Sequence, residues 1–465
     1  MRVLYIFWVL LMGTVPAIGN VLPDEYYERV LREEEEVFVP CEALETERLR
    51  CERIKKAREL AGRIELKTYD QVIGKKRIPY REFALIAYDP ETEGFHVIRL
   101  GMPVDVSKTP NFQPIVLSKG ESPITVTRLR GQSLNKMVFD IRFGGRELHA
   151  YAAKHLLFTE VVLHALWGSR KIPRVEEVVY LEVTPHFVTS ESASAGQAVF
   201  MSLIEEAFDE LRQRGIPSRS FPGRLVADVI PTAIVANLLV TEQTDPCFRQ
   251  GTRPKGCEHL IPIRPYADDA EVMQAVNTVF FLNGGLAYRY MRSSAAAGGA
   301  LQFTNNKTNR YIGTYNLMLL YYPKAGLDPD FQRATRSLRN LAKAAACLID
   351  LELANAQLPT WAKEVFFRDP EFGLPIPGAA YNGGASQSLL VARLIETYAK
   401  KQGIDKERYL FHLFPWDHFL AWVDESRAKL KPETRGYIEK IIAVTRHLSR
   451  HRPRLPVVNF EGDLG

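Results

Sequence analysis

The chain has 465 residues, of which 46% are hydrophobic and 25% charged. These fractions are ordinary for folded globular protein and exclude a disordered or fibrous chain, and the length allows two or three domains with sizeable cores. The formal net charge of +5 is mild and spread along the chain; it suits an anionic polymer and does not argue for nucleic acid as a partner.

Arg2 is followed by an unbroken apolar run, residues 3–12, and then by Pro16, Ala17 and Gly19. This is the pattern of a signal peptide over residues 1–19, cleaved before Asn20, which sends the protein to the periplasm or outside the cell. The run is shorter than the roughly 20 residues that a membrane span needs; a retained anchor is the alternative. Residues 20–188 read as an N-terminal accessory domain. Residues 24–61 look helical, and the acidic run Glu33 to Glu36 reads as a solvated face. From Ile64 to Val188 short β-branched and aromatic runs alternate with turn residues, as at 83–88 before Asp89-Pro90 and at 138–143 before Gly144-Gly145. These predict strands, with 150–167 as the exception, where a helix is expected. The domain is thus α+β or mostly β.

Beyond a small, polar stretch at 189–196 the pattern turns helical. Val199, Leu203, Ile204, Ala207, Phe208 and Leu211 recur at helical spacing, and Gly215 closes the run. Further helices are expected near 225–243, 270–292, 311–322, 331–357, 386–402, 416–428 and 433–450. Residues 195–450 therefore form an all-α domain, and 451–465 an extended tail.

There are five cysteines. Cys41 and Cys51 are near neighbours, as are Cys247 and Cys257, and outside the cytoplasm each pair can close a local disulfide. The loop between Cys247 and Cys257 holds Gly251, Pro254 and Gly256, which turn easily. Cys347 sits in an apolar helical run and reads as a buried free thiol. Cys247, Cys257 and His259 fit no familiar zinc spacing, and neither a metal nor another cofactor is expected.

Three segments carry the chemistry. The first is an apolar helix, 233–240, that runs into Thr241-Glu242-Gln243. Cleavage of a glycosidic bond needs a carboxylic acid still protonated near neutral pH, and partial desolvation raises a carboxyl pKa. A Glu that leaves a buried helix at the edge of the core meets that need, although a Glu in this place is also the ordinary solvated end of a helix. The second segment is Gly298-Gly299-Ala300-Leu301-Gln302, preceded by Ser293. The third is Ala380-Tyr381-Asn382-Gly383-Gly384, followed by Glu433-Thr434-Arg435-Gly436-Tyr437.

In this order the segments resemble the active-site motifs of lytic transglycosylases of the soluble-transglycosylase, goose-lysozyme-like type, over roughly residues 195–450. In that family an apolar helix ends in a catalytic Glu, usually followed by Ser. A Ser, a Gly-Ala and a Gly-Leu-Met-Gln come next, then Ala-Tyr-Asn and a late Glu-Thr-Arg-x-Tyr helix. Here Gln243 replaces the Ser, Ala296-Ala297 stand for Gly-Ala, and Gly299-Ala300-Leu301-Gln302 stand for Gly-Leu-Met-Gln. The gap from Glu242 to Gln302 is longer than usual, so 245–292 look like an insertion.

The resemblance implies a lysozyme-like domain in which Glu242 is the single acid/base. Gln302, Tyr381, Asn382 and Ser293 are its substrate-binding residues, with the Tyr381 hydroxyl placed to hold Glu242. It implies peptidoglycan glycan strands as substrate, with envelope proteins as candidate partners of the N-terminal domain. The implied reaction cleaves the β-1,4 bond between N-acetylmuramic acid and N-acetylglucosamine and leaves a 1,6-anhydro end. The alternatives are a hydrolytic muramidase, for which Asp245 or Asp268 would be the second carboxylate, and a catalytically inactive binding scaffold.

Overall fold

The computed structural model describes residues 22–73, 76–105, 112–118, 123–130, 137–165, 168–181, 183–244, 269–292, 297–305, 307–308, 311–426 and 430–450. The expected signal at 1–19, the tail at 451–465 and the Cys247–Cys257 pair lie outside these residues.

Two helices, α1 (Asp24–Glu35) and α2 (Arg48–Gly62), precede an antiparallel sheet. Its strands are β1 (Thr68–Ile73), β2 (Lys76–Asp89), β3 (Gly94–Pro103), β4 (Ile115–Val116), β5 (Ile124–Arg130), β6 (Val138–Phe143), β7 (Arg146–Ala165) and β8 (Gly168–Tyr180). They run in the order β4-β3-β2-β7-β6-β5, with β1 on β2 and β8 on β7. Strand alternation gives the sheet two apolar faces. Phe83, Leu85 and Ala87 pack with Ile98, Leu100 and Ile141 in one core. Ile86, Tyr88, Tyr151 and Tyr180 join a larger core shared with α2 and the helical region.

The helix expected over 150–167 is instead most of β7. Leu156, Leu157, Val161, Val162 and Leu163 make an apolar run whose periodicity does not separate a buried helix from a strand. A continuous ladder with β8, from Ala153↔Tyr180 to Ala165↔Gly168, decides the matter.

The helical region comprises α3 (Ser190–Gln213), α4 (Val226–Val229), α5 (Thr232–Gln243), α6 (Asp269–Asn283), α7 (Thr314–Tyr321), α8 (Phe331–Ala334), α9 (Leu338–Leu353), α10 (Thr360–Arg368), α11 (Pro370–Gly373), α12 (Pro375–Gly383), α13 (Ala385–Gln402), α14 (Trp416–Glu425) and α15 (Pro432–Arg450). A short hairpin, Lys307–Thr308 with Tyr311–Ile312, precedes α7. The helix expected at 225–243 breaks before Pro231, which starts a new helix because its missing N–H needs no partner there. That expected at 331–357 splits at Ser337, whose side chain caps α9 through Asn340 N. Helix α6, within the expected insertion, is a core element: a Cβ on Gly196 of α3 would stand 1.9 Å from Asn277 O. Among the described residues no helix is long and apolar enough to cross a membrane.

Glu33, Glu35 and Glu36 of the acidic run are exposed, as expected of a solvated face, but Glu34 is not. Glu34 is fully buried. Its carboxylate accepts from Ser337 Oγ at 2.6 Å, Leu338 N at 3.0 Å and Arg339 N at 3.1 Å, and so caps α9 from another part of the chain. Glu33 pairs with Arg339 at 2.8 Å, and Glu35 pairs with Arg289. The positive end of α9, with Arg289 and Arg339 nearby, draws the Glu34 carboxylate inward. Helix α1 therefore packs as part of the helical region.

Cys41 and Cys51 are joined in a disulfide, and Cys347 is buried and free. The turn inside the disulfide loop presents Thr46 N at 2.9 Å and Glu47 N at 3.0 Å to the Glu191 carboxylate at the start of α3. Replacing both Cys41 and Cys51 with Ser is expected to lower stability by about 2–3 kcal/mol, the usual effect of opening a short loop, as read from a denaturant midpoint. Cys347 is expected to react with an alkylating reagent only after unfolding.

Candidate active site

Helix α5 is apolar on all sides, and Ile234, Val235, Leu238, Leu239 and Val240 are buried. Such a helix has to run through the core; its mid-helix Asn237 is satisfied by Thr445 of α15 at 2.7 Å, and its remaining polar side chains past the apolar run stand at the C-terminal exit. There Lys440 Nζ of α15 donates to Thr241 O at 2.8 Å and to Thr244 O at 3.1 Å. It thereby satisfies carbonyls that a helix end leaves unpaired. One turn earlier on α15, the Tyr437 hydroxyl donates to Glu242 Oε1 at 2.7 Å. Glu242 is partly exposed at the rim of this packing. Desolvation by the surrounding atoms raises its pKa above the ordinary carboxyl value; the Lys440 charge and the Tyr437 hydrogen bond pull the other way and do not cancel it.

The second segment is a tight turn. Gly298 N donates to Phe303 O at 2.8 Å, and Gln302 N to Gly299 O at 3.2 Å. Gly299 has φ of +73° and lies so close to Thr335 that a Cβ would stand 2.2 Å from Thr335 O; only glycine meets both demands. The turn offers two carbonyls to the other motifs. Ala300 O accepts from Gln243 Nε2 at 2.5 Å, and Leu301 O accepts from the Tyr381 hydroxyl.

Tyr381 stands near the C-terminal end of α12. Its ring lies parallel to that of Tyr437, with centroids 6.4 Å apart and planes 9° apart, and it meets Phe303 edge-on at 5.7 Å. Asn382 is exposed, and its Oδ1 accepts from the buried Thr434 hydroxyl at 3.2 Å. Segments far apart in sequence thus meet at the end of α5.

The expected hydrogen bond from Tyr381 to Glu242 is made by Tyr437 instead. Tyr437 and Lys440 are three residues apart and share a face of α15, so the helix that caps α5 also brings a hydroxyl to Glu242. Tyr381 is turned to the glycine turn, and its own pKa is raised well above the usual phenol value by burial and by the Glu242 charge. Gln302 adopts φ of +48°, uncommon for a residue other than glycine, and folds its amide back so that Nε2 donates to Gly299 O at 2.6 Å. Ser293, Asp245, Asp268 and His259 lie outside the described residues. The role of Tyr437 was missed, although the late motif contained it; the available signal was its spacing from Lys440.

Burial raises three other described carboxyls: Glu34 and Asp328, both paired with arginines, and Glu352. Burial alone pushes Glu352, near the end of α9, up to about 7. No hydrogen-bond donor among the described residues reaches it, and none of the three motifs surrounds it. Among the described residues no group of three or more His, Cys, Asp or Glu is placed to hold a metal ion. The arrangement at Glu242 is that of one carboxyl of raised pKa, oriented by a tyrosine and flanked by a lysine. It can give a proton and take one back. No family model, curated protein or solved structure matches the chain.

Proposed function

We propose that this protein is an exported peptidoglycan lytic transglycosylase whose helical region is of the lysozyme-like type, with Glu242 as its single acid/base. The observation that carries this reading is the meeting of the Glu242, Gly298–Gln302 and Tyr381 segments around one carboxyl of raised pKa, in contact with Tyr437. A glycosidase that uses water employs two carboxyl groups across the scissile bond. The resemblance implies a route in which Glu242 alone serves as acid and base and the substrate supplies the second group.

In that route the Glu242 proton passes to the glycosidic oxygen, and the bond from that oxygen to C1 of N-acetylmuramic acid breaks. The acetamido oxygen of the same sugar supports the charge that develops at C1. Glu242, now a carboxylate, takes the proton of the C6 hydroxyl as its oxygen bonds to C1. The 1,6-anhydro end forms, Glu242 is protonated again, and no water is consumed. Tyr437 steadies the carboxylate between the two transfers. By the resemblance, Gln302 and Asn382 receive the polar groups of the N-acetylated sugars, for which an amide offers both donors and acceptors.

Incubation with purified sacculi tests the reading: soluble fragments should appear, whereas binding without release would make the protein a scaffold. Tyr437→Phe removes a donor that favours the Glu242 carboxylate, so the Glu242 pKa should rise further. Activity that requires protonated Glu242 falls as pH climbs through that pKa, so the alkaline limb of the pH–rate profile should move to higher pH. The turnover rate should drop roughly ten- to a hundredfold through lost orientation. An unchanged profile in the folded variant would remove Tyr437 from the mechanism.

A further inference from the structure

We infer that the loop at residues 216–225, together with the end of α7, forms a second, non-catalytic site that binds the free carboxylates of the peptide stems of the same polymer. This rests on the substrate proposed above. The loop joins α3 to α4 and is closed by Ser218 N donating to Arg224 O at 2.8 Å and Val226 N to Ile216 O at 2.9 Å. Beneath it lies Asp350 of α9, a carboxylate with no exposure to solvent. Asp350 accepts from Ser218 Oγ at 2.6 Å, Arg219 N at 2.7 Å, Ser220 N at 3.3 Å and the Tyr322 hydroxyl at 2.7 Å. A buried carboxylate is expensive unless fully hydrogen-bonded. Here those bonds go to the loop and to Tyr322, and they fix the loop in one shape.

What the loop displays is a set of stacked guanidinium groups. Arg219 is exposed and lies 5.0 Å from the ring centre of Tyr321 and 5.6 Å from that of Tyr322. One of its N–H groups reaches Tyr321 O at 3.2 Å, and among the described residues no carboxylate stands within ion-pair distance. Arg224 lies 4.8 Å over Phe367, which meets Phe221 of the same loop at 5.2 Å. Stacking holds the Arg219 guanidinium flat, and a planar guanidinium can take a carboxylate in two parallel hydrogen bonds. Beside them Tyr321 is 37% exposed and Leu320 54%, giving apolar surface for a peptide backbone to lie against.

The position also fits. Helix α7 begins at Thr314, whose hydroxyl is 3.4 Å from that of Thr304, just beyond the glycine turn of the active site. Eight residues of helix span about 12 Å, so the Arg219 stack stands one short helix away from the turn. A long strand bearing acidic stems can occupy both places.

The experiment compares two soluble glycan probes, one with intact stem peptides and one stripped of them by an amidase. Each is titrated calorimetrically into full-length Glu242→Gln protein so that no turnover intervenes. The peptide-bearing strand is expected to bind about tenfold more tightly at low salt, roughly one charge-assisted contact. Arg219→Gln with Arg224→Gln should erase that preference, while the Glu242 form of the same variant cleaves stripped strands at the parental rate. An unchanged melting temperature shows that the Asp350 anchor is intact. Equal binding of the two probes by the parent loop, or a preference that survives both substitutions, would overturn the proposal. So would equal competition by a random acidic peptide, since the site would then not select stems. Failure of the transglycosylase reading shows separately, as absence of strand cleavage by the Glu242 protein with the stem preference intact.

Discussion

Glu242→Gln is expected to reduce release of glycan fragments by about a hundredfold or more, the scale of a lost general acid, while the protein still folds and still binds sacculi. The substitution keeps the side chain's shape, and its amide oxygen can still accept from Tyr437. What it loses is the proton. The same variant carries a second, thermodynamic signature. The Glu242 pKa is raised in the folded state by desolvation, so the folded state binds that proton more tightly than the unfolded chain does. Ionising Glu242 therefore removes stability as pH rises from the ordinary carboxyl range, about 4.3, through the raised value. The Gln variant escapes that loss. It should be more stable than the parent at neutral pH, and the difference should close as pH falls below the ordinary range. A folded variant with parental turnover would end the assignment of Glu242 as the acid.

Glu34→Ala should have the largest effect on stability, about 3–5 kcal/mol, the range for removing one partner from a buried ionic cluster. Glu34 is fully buried, and its carboxylate meets three donors at the N-terminus of α9, with Arg289 at 3.8 Å and Arg339 at 3.5 Å. Truncation leaves those three donors without their acceptor, while Arg289 keeps Glu35 and Arg339 keeps Glu33 and Glu206. Glu34→Gln keeps one acceptor oxygen and should cost less. The damage should extend to the site. Thr335, two residues before the capped Ser337, is the surface against which Gly298 and Gly299 are pressed. Denaturant midpoints of the two variants measure the first effect, and residual sacculus release measures the second. A Glu34→Ala protein as stable as its parent would show that α1 is not integral to the helical region.

The helical region was legible in outline because its long segments repeat at helical spacing and end at Gly, Pro or Ser. Glu242 was legible for the same reason, since the apolar run before it has to be buried and the first charged residue after it has to stand at an edge. Non-local partners were not legible. Nothing near Glu34 in sequence shows that the start of a helix about 300 residues later has further donors to satisfy, so an inward-facing carboxylate looks like any solvated one. The strand β7 resembles a buried helix until β8 is known to pair with it. Helix α12 was hidden because Pro375-Ile376-Pro377-Gly378 reads as a breaker, although proline is at home in a first helical turn. The exchange of Tyr381 for Tyr437 has the same origin. Both tyrosines stand in quoted motifs and their rings stack, but only the packing of α15 along α5 decides which hydroxyl reaches Glu242.

The central claim is that one carboxyl, with the substrate's own C6 hydroxyl, cleaves the strand without water. Mass spectrometry of the fragments released from purified sacculi tests it most directly. The account predicts 1,6-anhydro ends on N-acetylmuramic acid, each one water lighter than a hydrolysed end, and their disappearance with Glu242→Gln. Reducing, fully hydrated ends made by the Glu242 protein would contradict it, because a held water and a second carboxylate would then have to complete the reaction.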